Sequence, residues 1–272
     1  MFSKLCASAL LISACQTVES NELVTEGIHA SMSAISNGDG MTIISAAFFD
    51  KDPIDPDPKK QYITLSSGDH VYASHGGTTQ ELTQNLVYST TFPTDHGGDN
   101  FIVSMMRRTG GDAPDSSITL PEGFTITNRT SAPEAALTWV REWDFSLTWS
   151  PHGSHDHMDW HAEGPCIMPT DGTIADDTGT VTIAKDTIKK IDNPGISHSC
   201  WISVTVTRSR DGTLDNGFAG GVIDGRQVRT IAMISRSLDG LPAVVDLLPH
   251  RGCSACAGPE VNQPLTAVNH GP

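Results

Sequence analysis

Four histidines fall within the ten residues His152-Gly-Ser-His155-Asp-His157-Met-Asp159-Trp-His161. Imidazole and carboxylate groups at this density are natural ligands for zinc or copper. If Met158 to Cys166 forms a strand with Trp160 inward, then Asp159, His161 and Glu163 share the outer face. Neighbours two apart on a strand lie ~6.5–7 Å from each other. Two of them could then meet one ion, with His155 or His157 supplied from the preceding loop. His155, His157, Asp159 and His161 are therefore the candidate zinc or copper ligands, for a binding module or a metal-dependent hydrolase. The competing reading of the same residues is a solvated polar turn.

The string His155-x-His157-x-Asp159 resembles the start of the metallo-β-lactamase motif. Trp160 stands where that motif has its last histidine, and His161 comes one residue late, on the opposite face of a strand. The chain also lacks the alternating strands and helices of that fold, so the motif is incomplete.

The cysteines are the second set of reactive groups. Cys166 and Cys200 each fall on the inward side of an alternating strand, which predicts a disulfide between them across a sandwich core. Cys253-Ser-Ala-Cys256 has neither the βαβ setting of thioredoxin chemistry nor the second pair of a zinc ribbon. A small local disulfide is the simpler expectation, and His250 with the pair could bind a soft metal. Two aspartate-rich loops, Asp50–Asp57 and Asp211–Asp215, have the chemistry for calcium but not the EF-hand order. No G-x-S-x-G elbow, phosphate-cradling glycine loop or dinucleotide fingerprint occurs. His75-Gly-Gly and His96-Gly-Gly, without an elbow serine, read as hairpin turns. No catalytic residue is assigned.

The composition narrows the partners. The chain has 272 residues and a formal net charge of -15. Phosphate backbones are bound by clustered Lys and Arg, so this balance argues against nucleic acid. Lys4 precedes a short apolar run, Leu5–Ile12, too short to span a bilayer. Ile12-Ser13-Ala14-Cys15 then resembles a bacterial lipobox, in which cleavage precedes a cysteine that carries the lipid. The resemblance implies a signal peptide at 1–14, lipidation at Cys15 and a membrane partner through that anchor. An ordinary secretory signal cut near Ala14 is the alternative. Gln16 in place of an inner-membrane retention aspartate favours the outer membrane by the same likeness. Four cysteines then remain, an even number suited to an oxidising compartment.

These groups need elements to position them. Residues 15–40 are polar and rich in small residues, and read as a flexible tether. From Met41 the chain becomes a series of short alternating stretches separated by Gly, Asp, Asn and Pro. They include Met41–Phe49, Tyr62–Leu65, His70–Ala73, Leu86–Phe92, Phe101–Arg107 and Ile118–Leu120, with one short helical turn at Gln80–Gln84. The texture loosens at Pro121–Pro133, which reads as a connector. Beyond it, DFSLTWS, MDWHAEGPC, GTVTIAK, CWISVTVTRS and GRQVRTIAMIS alternate cleanly. Arg208, Arg210 and Arg229 would protect strand edges. The pattern predicts an all-β protein of two immunoglobulin- or fibronectin-like sandwiches, at 41–130 and 131–237, followed by a loose tail at 238–272.

The segments LTWSP, W-x-x-x-G-x-C, DDTGTVTIAKDTI, CWISVTVTRSRDGTLDNGFAGG and GRQVRT resemble a group of secreted or lipid-anchored proteobacterial proteins with tandem sandwich domains. ITLPEGFTIT is similar to the hinge before that module. The resemblance covers about half the chain and implies fold and location, with no activity attached. The reading is of an exported, lipid-anchored sandwich protein with a non-enzymatic binding or structural role at the cell envelope. Its protein or glycan partner is not specified by any motif. Exposed aromatics such as Trp143 or Trp201 would suit a carbohydrate surface.

Overall fold

Alternating burial runs through nearly every element of the chain. The computed structural model describes residues 18–51, 61–84, 87–127, 137–192 and 198–238. Cys15, the expected signal segment at 1–14, His250, Cys253, Cys256 and the tail beyond Leu238 lie outside the described residues, as do Asp52, Asp55 and Asp57.

The first half contains β1 (Val18–Glu19), β2 (His29–Ser36), β3 (Thr42–Phe49), β4 (Ile63–Thr64), β5 (His70–His75) and β6 (Thr78–Glu81). It continues with β7 (Thr83–Gln84), β8 (Tyr88–Phe92), β9 (Asn100–Met106) and β10 (Ala113–Thr119). The second half contains β11 (Thr125–Ile126), β12 (Thr138–Val140), β13 (Phe145–Ser150), β14 (His157–Glu163), β15 (Thr170–Ile174) and β16 (Thr180–Ile183). It ends with β17 (Ser199–Asp211) and β18 (Gly220–Arg236). No α-helix occurs among the described residues, and the architecture is the all-β, sandwich-built one that the alternation predicts.

The largest sheet runs β15-β14-β17-β18-β2-β3-β8-β7, with β12 also pairing β18. A four-stranded sheet, β10-β9-β5-β6, faces one half of it, and β11-β13-β16 faces the other. The first core holds Ile28, Met32, Phe48, Phe92, Phe101 and Met105. The second holds Trp139, Leu147, Trp149, Met158, Trp160 and Met233.

The long hairpin β17–β18 belongs to both cores. β18 has 17 residues, about 56 Å at strand rise. Its first part pairs parallel with β2 from Gly220 to Gln227, and its last part pairs parallel with β12 from Ile234 to Arg236. The short strands expected here are thus two long ones, because the alternation in each continues without a turn signal.

Four expectations are corrected. Residues 29–36 are a central strand and not part of a tether. Ala30, Met32 and Ala34 are buried in the first core and Ser31, Ser33 and Ile35 face outward, a pattern masked in the sequence by their small size. The cores change over between Leu120 and Phe124, earlier than residue 130, and the hairpin returns Phe218 and Ile223 to the first core. Gln80–Gln84 carries strand residues of β6 and β7 in place of a helical turn, because Thr78–Glu81 completes a hairpin with β5. Its turn is the His75-Gly76-Gly77 stretch, where both glycines have positive φ. Finally, Arg208 and Arg229 lie on central strands, not at edges.

Those two arginines hold the connector. Arg208 and Arg229 place their guanidinium carbons 5.0 and 5.5 Å from the centroid of the Phe124 ring. Arg208 donates to the Glu122 carbonyl at 2.7 Å, and Arg229 donates to the Phe124 carbonyl at 2.7 Å. Residues 121–127 are thus packed between strands, where a loose connector was expected.

Cys166 and Cys200 form the predicted disulfide, with Cα atoms 5.9 Å apart. It joins the continuation of β14 to the adjacent strand β17, so it links neighbours in one sheet and does not cross the sandwich. Closing a loop with a sequence separation of 34 stabilises by about 4 kcal/mol in the chain-entropy picture.

Candidate functional site

The histidine-rich loop is built on two aspartates. Asp177 accepts the indole N–H of Trp149 at 2.7 Å, the Ser154 backbone N–H at 2.9 Å and Nη2 of Arg208 at 2.7 Å. Its own carbonyl accepts the Gly153 N–H at 2.7 Å. Burial pushes the Asp177 carboxyl upward, but the Trp149 and Ser154 hydrogen bonds and the Arg208 charge outweigh it and hold it below the usual range. Asp156 takes a two-pronged contact from Arg210, Nε at 2.6 Å and Nη2 at 3.0 Å. The loop is therefore pinned at Ser154 and at Asp156.

β14 follows, and its alternation puts Met158, Trp160 and Ala162 in the core and His157, Asp159, His161 and Glu163 outside. Asp159 stands between Thr173 of β15 and Thr207 of β17. His161 stands between Asp171 and Thr205. No described residue bonds to the Asp159 carboxylate.

The four candidate metal ligands do not converge. His155 and His157 line one depression of about 510 Å³ beside Asp156 and Asp176. Asp159 and His161 line an adjoining open groove of about 580 Å³ with Asp171, Thr207, Asp224 and Arg226. Among the described residues, no group of three or more His, Cys, Asp or Glu side chains is placed to hold a metal.

His161 is directed elsewhere by its neighbours. Its Nδ1 lies 2.6 Å from Asp171 Oδ1, and its Nε2 lies 3.6 Å from Glu163 Oε2. The Asp171 hydrogen bond raises the imidazole above its ordinary value, and the charges of Asp171 and Glu163 add to this against a smaller opposing effect of burial. A raised imidazole value weakens metal binding, because the ring must give up that proton before its lone pair can bind.

In the second calcium candidate, Asp215 is committed to the backbone. Asp215 accepts the Gly217 N–H at 2.7 Å and the Asp115 N–H at 2.7 Å, so its carboxylate closes a turn. In the first, Asp50 accepts the Gln61 N–H at 2.8 Å. The exposed aromatic side chains Trp143 and Trp201 are 63% and 57% accessible. Trp201 sits beside Ile234 on the outer face of the large sheet.

Sequence reasoning missed Asp171, Asp177 and Arg208. β15 carries too few apolar residues to signal a strand, so Asp171 had no predicted partner. Arg208 continues the inward series Cys200, Ile202, Val204, Val206, and one further step of that alternation would have placed it in the interior.

What the outer face offers, among the described residues, is an open polar surface. The groove floor is formed by β15, β14, β17 and β18, and carries the free carboxylate of Asp159 and the hydroxyls of Thr173, Thr207 and Ser209. Arg226 is held by Asp224, with Nη2 2.6 Å from Oδ2. Such a site suits hydrogen bonding to a ligand; among the described residues, no nucleophile–base pair is assembled on it.

No protein-family model and no curated protein matches the chain. Among solved structures, similar chains include the FN1–FN3 domains of chicken CNTN1, at 10% identity, TM-score 0.27, over 76% of this chain and 64% of that one. A cytokine receptor complex matches at 7% identity and TM-score 0.27, over 76% and 95%. The fibronectin(III)-like modules of Clostridium thermocellum CbhA match at 11% identity and TM-score 0.23, over 76% and 94%. Scores of this size do not establish a shared topology, and the architecture rests on the strand pairing itself.

Proposed function

We propose that this is an exported, lipid-anchored sandwich protein that binds a polar ligand on the outer face of its large sheet, without catalysing a reaction. The observation that carries the binding role is the open groove around Asp159, whose floor carries that carboxylate and the hydroxyls of Thr173, Thr207 and Ser209. The lipobox at Ile12–Cys15 supports export and anchoring, and the Cys166–Cys200 disulfide is in keeping with an oxidising compartment. Cells expressing the full chain should incorporate labelled palmitate, and Cys15→Ser should abolish the label. Purified mature protein should bind isolated envelope polysaccharide or envelope protein saturably. Thr207→Trp, which fills the groove floor from a half-buried, outward-facing position, should weaken that binding at least tenfold. Binding that is unchanged by Thr207→Trp and by Asp159→Ala would remove the groove from the account.

A further inference from the structure

We infer that the protein lies directly on the bilayer, on the face that carries Tyr62, with the Tyr62 ring at the level of the lipid headgroups. This rests on the lipid-anchored reading above and says what that anchor does to the body.

The reasoning starts from where the ordered chain begins. Val18 already pairs in register with Ile63, and its N–H donates to the Tyr62 carbonyl at 3.1 Å. The next residues are bolted down. The Ser20 hydroxyl donates to Asp69 at 2.7 Å, and the Ser66 N–H donates back to that hydroxyl at 2.8 Å. Arg107, buried against Asp69 at 3.2 Å, donates to Thr25 Oγ1 at 2.8 Å, to the Leu23 carbonyl at 2.9 Å and to the Ser20 carbonyl. The segment after Val18 is thus part of the body and cannot serve as slack.

Only Gln16 and Thr17 separate Cys15 from Val18. Three residue steps span at most about 11 Å when fully extended. Each headgroup layer is itself about 5–8 Å deep. An acylated Cys15 therefore leaves no room for a body held off the membrane, and the strand end that meets Val18 must adjoin the surface.

The chemistry at that end fits a lipid interface. Tyr62 is 56% exposed and its ring packs on Phe49 with centroids 4.8 Å apart. A tyrosine has an apolar body and a polar tip, and such rings are enriched at the membrane–water boundary. The two acyl chains of a diacylglycerol on Cys15 are enough to anchor the chain, and the interfacial ring fixes which face of the body meets the surface.

The test is photo-crosslinking in intact cells with radiophosphate-labelled phospholipid. Benzoylphenylalanine is placed at Tyr62 or, for comparison, at Trp201, which is equally exposed but lies on the outer face of the large sheet, on β17. The expected result is a phospholipid adduct at position 62 several-fold above that at 201. Inserting about twenty Gly/Ser residues after Thr17, whose mean span is about 25 Å, should reduce the adduct to the level at 201 while palmitate incorporation persists. Equal adducts at the two positions, or an adduct at 62 that survives the insertion, would overturn the inference. Palmitate on Cys15 without any adduct at 62 overturns it alone; no palmitate on Cys15 overturns it together with the anchoring reading.

Discussion

Arg208 and Asp177 meet at 2.7 Å with both side chains wholly excluded from solvent. The pair joins β17 to the loop before β16 and, through Ser154, to the start of the histidine-rich loop. Arg208 also reaches the Pro151 carbonyl at 2.9 Å and the Glu122 carbonyl at 2.7 Å. One buried guanidinium therefore positions the connector and the loop together.

Removing the charge from Asp177 should be costly because it strands Arg208 in the interior. Asp177→Asn is expected to lose about 3–5 kcal/mol at neutral pH, read as a lower midpoint in urea unfolding. The Asp177 carboxyl is held below its ordinary value, so its contribution is complete above the unfolded value of ~3.9 and fades as pH falls through the folded one. The gap between wild type and Asp177→Asn should accordingly narrow in unfolding curves taken below about pH 4. A gap that stays constant into acid would mean that the carboxylate is not the stabilising partner.

Much of this was legible, though unevenly. Strands with large inward residues, such as Leu147 and Trp149 or Val204 and Val206, declare themselves because alternation is strong when apolar and polar residues differ widely. His29–Ser36 does not, since Ala30, Ala34 and Ser36 are small and carry little hydrophobic contrast with Ser31 and Ser33. The candidate site was found at the right strand face, but its split into two depressions depends on Asp171 and Thr173, contributed by a neighbour strand that has no pattern of its own. Pairing between strands far apart in the chain is not written in local periodicity.

The strand at residues 29–36 gives a direct test of where the first core begins. A tether tolerates truncation of its side chains, whereas a central strand does not. Met32 is 2% exposed and sits between neighbours on β3 and β18. Met32→Ala should cost about 2–5 kcal/mol, the range for emptying a buried methionine site. Calorimetry or chemical unfolding of the mature protein would measure it, and a loss below about 0.5 kcal/mol, the scale of surface changes, would return the segment to the role of a linker.

The last prediction concerns His161, the residue where the metal reading and the structure part most clearly. Its Nδ1 faces Asp171 at 2.6 Å and its Nε2 faces Glu163 at 3.6 Å, so both nitrogens look at carboxylates. The folded value lies above the unfolded one, so the stabilisation from this contact is fully present below the ordinary imidazole value and disappears as pH rises through the raised value. The pair is too exposed for this to dominate the stability curve, and the sharper readout is the ring itself. In an NMR pH titration His161 should remain protonated above the ordinary imidazole value, and Asp171→Asn should move its titration downward. If His161 instead titrates below the ordinary imidazole value in the wild type, or if added zinc shifts its resonances in a saturable way at neutral pH, the Asp171 contact does not govern the ring and the metal reading regains its central residue.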